Sequence, residues 1–115
     1  MNDIKSVLDR IRVFGEEREW QQFHSPKNIS MALSVEASVL LEHFQCMKQE
    51  QSRNIDAEKK QEVSDEIADV FLYLLRMCDQ LDINLIDAAH QKIDKNAVKY
   101  PIEKSKGIAT KYDRL

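Results

Sequence analysis

The run from Val63 to Leu81 constrains this chain most, because it is strongly apolar at helical spacing and yet carries Glu66 and Asp69 within it. Val63, Ile67, Val70, Phe71, Leu74, Leu75, Cys78 and Leu81 spread round most of the helix circumference. Both faces therefore read as buried, which makes the helix central in a bundle or part of a subunit interface. Residues at i and i+3 lie on one helix face, one turn apart. Glu66 and Asp69 thus set two carboxylates side by side in apolar surroundings. Such charges repel, and they are costly to bury unless a cation compensates them.

The rest of the chain reads as three further helices. The first runs from about Asp3 to Trp20, with Ile4, Val7, Leu8, Ile11 and Phe14 as its apolar stripe and Gly15 as a point where it ends or bends. Ser25-Pro26 is a start signal, since serine caps free N–H groups and proline suits the first turn. The second helix follows from Asn28 to Met47, carrying Ile29, Ala32, Leu33, Leu40, Leu41 and Phe44. Gln49 to Lys60 is polar and reads as a connecting loop. Asp82-Ile83-Asn84 turns the chain into a fourth helix, Leu85 to Lys99, stopped by Pro101. The tail from Ile102 to Leu115 reads as irregular. Only two glycines and two prolines interrupt 115 residues, and no strand-length alternation of apolar and polar residues occurs. The expected fold is all-α, a four-helix-type bundle in a single domain spanning residues 1–115.

A net charge of −3 with dispersed lysines and arginines offers no face for a polyanion, so no nucleic acid polymer is expected as a partner. No apolar run approaches a membrane span and no signal-peptide pattern is present, so the expected setting is cytoplasmic, with no membrane partner. Cys46 and Cys78 each fall in a predicted helix without metal-ligand spacing, and read as reduced, mostly buried thiols.

A second acid completes the pattern. Glu36, Val39, Leu40 and His43 share one face of the second helix, as Glu66, Asp69, Val70 and Tyr73 share one face of the third. If these faces oppose each other, Glu36, Glu66 and Asp69 converge. Magnesium prefers hard oxygen ligands and keeps positions open for waters or phosphates. A magnesium site in turn points to phosphate chemistry. On spacing alone, three solvated helix acids stay an equally open reading.

Four segments occur in order: Phe23-His24-Ser25-Pro26-Lys27-Asn28, then Val35-Glu36-Ala37-Ser38 continuing through Leu41-Glu42-His43-Phe44-Gln45, then Asp65-Glu66-Ile67-Ala68-Asp69-Val70, then Lys92 to Pro101. Together they resemble the MazG-like nucleotide pyrophosphohydrolases, in particular the small dCTPase-like branch, from about Trp20 to Tyr112. The resemblance implies an all-α fold that assembles as a homodimer or homotetramer. It also implies Mg2+-dependent hydrolysis of a nucleoside triphosphate to the monophosphate and pyrophosphate. Glu66 and Asp69 match the family's E-x-x-D element, and Glu36 matches the first glutamate of its E-x-x-E element. These three are the implied metal ligands and catalytic acids. Val39 stands where that element has its second glutamate, and Cys46 stands where the family often has a base-pocket tryptophan. The resemblance also implies substrate contacts from His24, Lys27, Asn28 and Tyr73, and from Asn96, Lys99, Tyr100 and Lys111. Trp20, the only tryptophan, reads either as a core residue or as a stacking wall for a base. The valine leaves a second reading open: a catalytically weakened nucleotide-binding or assembly protein of the same fold.

Overall fold

All regular structure among the described residues, 3–115 of a computed structural model, is helical: α1 (Ile4–Glu17), α2 (Pro26–Glu42), α3 (Gln49–Ser52), α4 (Ala57–Leu81), α5 (Leu85–Lys99) and α6 (Ile102–Ser105), with 3₁₀ turns at Gln21–Phe23 and Tyr112–Arg114. The four long helices begin where a short polar side chain accepts a free backbone N–H. Asp3 caps α1 through Ser6 at 2.8 Å, Ser25 caps α2 through Asn28 at 3.2 Å, Asp56 caps α4 through Lys59 at 2.8 Å, and Asn84 caps α5 through Asp87 at 3.0 Å. Each such cap contributes about 1 kcal/mol.

The residues fall into two compact units, the first ending at Asp82 and the second being Ile83–Leu115. In the first, α4 packs most extensively against α2 and also against α1. Its core holds Ile29 of α2 with Val63 and Leu75 of α4. Full burial of an Ile or Leu side chain stabilises by roughly 1.5–3 kcal/mol. The α1–α4 contact is polar as well as apolar. Arg12 Nε donates to both Asp79 carboxylate oxygens at 3.1 Å, and the buried Arg76 donates from Nη2 to the Ile11 carbonyl at 2.7 Å. In the second unit, Tyr112 meets Tyr100 edge-on at 6.0 Å, and Lys99 Nζ lies 4.8 Å from the Tyr112 ring centre.

Several expectations change. α1 stops at Glu17, not Trp20, and Glu19 takes a left-handed backbone with φ +53°. Gly15 does not end the helix. It is buried inside α1 because the Arg76 guanidinium comes too near for a side chain: a Cβ there would lie 3.0 Å from Nη2. α2 ends at Glu42, so Cys46 is exposed in the turn that follows, neither helical nor buried. The polar stretch after Met47 contains the short α3, and α4 starts six residues before Val63, where Asp56 supplies its cap. The tail is partly regular, with α6 and a 3₁₀ turn. Burial of both faces of the third predicted helix, α4, does not hold within one chain. Ile67, Leu74 and Leu81, spaced seven apart, are 52%, 37% and 50% exposed.

Candidate metal centre

α2 and α4 bring three carboxylates together. Glu36, Glu66 and Asp69 each offer an oxygen, and these oxygens all lie within 4.8 Å of one another. Glu66 and Asp69 come from one turn of α4, and Glu36 faces them from α2. The convergence that helix spacing made conditional on opposed faces is thus present. Glu36 and Glu66 are half-buried, and Asp69 is exposed.

The electrostatics follow from that crowding. The Glu66 carboxyl is pushed up from an ordinary 4.5 to about 7, first by hydrogen bonding with Glu36, then by loss of water, then by the negative charges of Glu36, Asp69 and Glu42. Carboxyl groups this close disfavour the ionised form of Glu66. Glu66 Oε1 is buried and has no hydrogen-bond partner among the described residues. A buried oxygen without a donor is costly, and a cation relieves both this and the repulsion. Three hard oxygen donors of this kind fit magnesium.

Val39 lies half-buried one turn after Glu36 and adds no ligand atom. Glu42 is exposed and stands outside the three-oxygen group, yet its charge reaches Glu66. It acts on the centre through its field and does not replace the missing glutamate.

The other candidate substrate contacts fall into two groups. In the first unit, Trp20 follows α1 and meets Phe14 edge-on at 5.6 Å and His24 edge-on at 6.2 Å. His24 is half-buried with its Nδ1 buried and unpartnered among the described residues. Its pKa is lowered, first by burial and then by the positive charge of Arg76. Lys27 and Asn28 sit exposed in the first turn of α2, where Asn28 Nδ2 donates to the Phe23 carbonyl at 2.9 Å and pins the preceding loop. Tyr73 is half-buried on α4, one turn after Asp69. In the second unit, Asn96, Lys99 and Lys111 are exposed and Tyr100 is half-buried. Lys99 and Tyr100 there share Tyr112 as a neighbour.

Helix spacing overlooked Arg76 and so misjudged Gly15, which the arginine packs against. Their signal was present as a lone arginine in the apolar run Leu74-Leu75-Arg76-Met77-Cys78, because an arginine so placed needs a partner inside the protein.

A model of the MazG-like family matches residues 31–115. The dCTP pyrophosphatase 1 of Mus musculus is 34% identical over 105 residues, covering 89% of this chain and 61% of its own length. The Homo sapiens protein of the same name is 30% identical over 104 residues, with the same 89% and 61% coverage. The chain thus spans about 61% of the length of these curated relatives. A crystal structure of a pyrophosphatase from Archaeoglobus fulgidus DSM 4304 superposes with a TM-score of 0.81 at 40% identity, covering 85% of this chain and 92% of that one.

Proposed function

The chain belongs to the MazG-like family, and on that premise we propose that residues 1–115 form one domain that hydrolyses a (deoxy)nucleoside triphosphate to the monophosphate and pyrophosphate with Mg2+. The relatives' activity toward dCTP makes a pyrimidine deoxynucleotide the first substrate to test. The observation that carries the reading is the convergence of Glu36, Glu66 and Asp69 from two helices around a buried, unpartnered Glu66 oxygen.

Those three residues would hold magnesium, which when bound offsets the charge of the phosphates and of the departing pyrophosphate. The chain's own groups supply the rest. Glu66 would hold the ion in its ionised form, which its neighbours disfavour while no ion is bound. Trp20 and His24 offer an aromatic wall for the base. Lys27 and Asn28, at the start of α2, suit phosphate contact through the positive end of the helix. Tyr73 presents a phenol one turn from Asp69. Asn96, Lys99, Tyr100 and Lys111 are candidate substrate contacts through the family motif alone. The setting we propose is cytoplasmic.

The test is release of pyrophosphate from a panel of nucleoside triphosphates with and without magnesium. Metal-dependent release supports the reading, and no release from any triphosphate overturns it. The half-buried Val39 favours one alternative, a catalytically weakened nucleotide-binding protein. Nucleotide binding with turnover absent at saturating magnesium would select it.

The exposed stripe Ile67, Leu74 and Leu81 supports a homodimer or homotetramer in which α4 is covered by another copy. Sedimentation at micromolar concentration tests this: a dimer or larger species is expected, and a monomer refutes it.

A further inference from the structure

We propose that Arg76 is a positioning residue for the Trp20–His24 wall, braced in the notch that Gly15 leaves in α1. The inference rests on the reading of that wall as a nucleotide contact. Arg76 stands on α4 seven residues after Asp69, two turns or about 10 Å along the axis. One helix therefore carries two of the three acids and the brace.

The brace is tight. Arg76 is only 8% exposed, and its Nη2 donates to the Ile11 carbonyl at 2.7 Å. A buried guanidinium needs such acceptors, because leaving its donors unpaired is costly. Its Nη1–Nη2 edge lies against Gly15, where an added Cβ would be 3.0 Å from Nη2 and 3.1 Å from Nη1. The same Gly15 accepts the Trp20 backbone N–H at its carbonyl, 3.0 Å away. Phe14, the neighbour of Gly15, meets the Trp20 ring edge-on at 5.6 Å, and Trp20 meets His24 edge-on at 6.2 Å. The chain of contact runs from guanidinium to Gly15, from Gly15 to the Trp20 backbone, and from the Trp20 ring to His24. The first two links are tight, since Arg76 is buried against Gly15 and the Gly15 carbonyl holds the Trp20 N–H. The Phe14 and Trp20 rings, in contrast, are 46% and 44% exposed and meet edge-on, so the brace acts on the wall through the Trp20 backbone. The charge of Arg76 also reaches His24 and disfavours its protonated form.

Trp20 is the only tryptophan in the chain, so its fluorescence reports the wall directly. The experiment compares wild type with Arg76→Met, Arg76→Lys and Gly15→Ala. Readouts are Trp20 emission and acrylamide quenching without nucleotide, then KM, kcat and magnesium affinity with dCTP. Arg76→Met is expected to shift the emission maximum and raise KM several-fold, with kcat and magnesium affinity near wild type. Gly15→Ala should move the same readouts in the same direction by a smaller amount, because its methyl displaces the guanidinium. Arg76→Lys should restore part of the effect. If Arg76→Met does not fold, Gly15→Ala decides. Lowered thermal stability with unchanged Trp20 emission and KM would mean a merely structural arginine and would overturn the proposal. Quenching of wild-type Trp20 by nucleotide tests the underlying reading separately. Its absence removes the wall's role in binding, whereas the variants' emission without nucleotide still decides whether Arg76 sets Trp20.

Discussion

α4 carries charge in two places, and the two are built in opposite ways. Near its middle, Glu66 and Asp69 join Glu36 in a group of like charges, with a buried Glu66 oxygen that nothing among the described residues satisfies. Toward its C-terminus, Asp79 pairs with Arg12, and the buried Arg76 gives a hydrogen to the Ile11 carbonyl. The second region is matched and joins α1 to α4. The first is unmatched, and like charges that close repel while no cation lies among them. Unmatched charge beside a buried, unsatisfied oxygen points to a function, and matched charge to architecture. The pKa directions agree: Glu66 is raised by its neighbours, whereas Asp79 is lowered, first by its hydrogen bond from Arg12.

The largest expected effect breaks the unmatched region. Glu66→Gln and Asp69→Asn should each lower magnesium-dependent turnover by more than about a hundredfold, beyond the 10–100-fold usual for residues that only orient a ligand. Neither change should harm the fold, and each should raise the melting temperature of the metal-free protein by relieving repulsion. Wild-type turnover in either variant removes the metal assignment.

A smaller effect, of opposite sign, comes from adding the absent ligand. Val39→Glu places a carboxylate one turn from Glu36 and should tighten magnesium binding on the order of tenfold, with a higher hydrolysis rate. The same change should lower metal-free stability, since it adds a charge to a crowded volume. Loss of stability with no gain at any magnesium concentration would mean that Val39 is packing and not a vacated ligand position.

pH gives a graded version of the same contrast. A carboxyl raised from 4.5 to about 7 binds its proton more tightly in the folded chain than in the unfolded one. Between those values the folded state holds the extra proton, so metal-free stability falls as pH rises from 4.5 to about 7. Magnesium affinity should rise over the same window, because the ion competes with that proton. Melting curves across this range should flatten in Glu66→Gln, and a slope unchanged by that substitution would assign the proton elsewhere.

What could be read from the sequence depended on whether a signal was local. α5 was legible, because the turn Asp82-Ile83-Asn84 and the stop at Pro101 bound it within one short segment. The pairing of Glu66 with Asp69 was legible too, since i, i+3 spacing fixes a helix face. The arrival of Glu36 depended on how α2 and α4 face each other, which spacing left open. The start of α4 was not legible, because Ala57–Glu62 is polar and its only local mark is the Asp56 cap. Gly15 was misread because its reason is a guanidinium from a residue 61 positions on (76 − 15), which no local rule contains. The exposure of Ile67, Leu74 and Leu81 was hidden for a related reason: composition says that a stripe is apolar, not whether its own chain covers it.

The smallest expected effect lies in the matched region and tests whether the two halves of α4 are independent. Arg12→Ala removes the guanidinium that pairs with Asp79 across the α1–α4 contact. Nearly half of the Arg12 side chain is exposed, so water screens the pair and much of its attraction is lost to solvation. The melting temperature should fall by a few degrees at most, and less in 1 M salt, where exposed pairs are weakest. Asp79 loses its hydrogen bond and its pKa should return upward, though the nearby Arg76 charge still lowers it in part. Magnesium affinity should not change, because Arg12 touches none of the three acids. Loss of magnesium binding in Arg12→Ala would show that the α1–α4 contact sets the spacing of Glu66 and Asp69 against Glu36. The matched charges would then be part of the site itself, and the division of α4 into architecture and function would not stand.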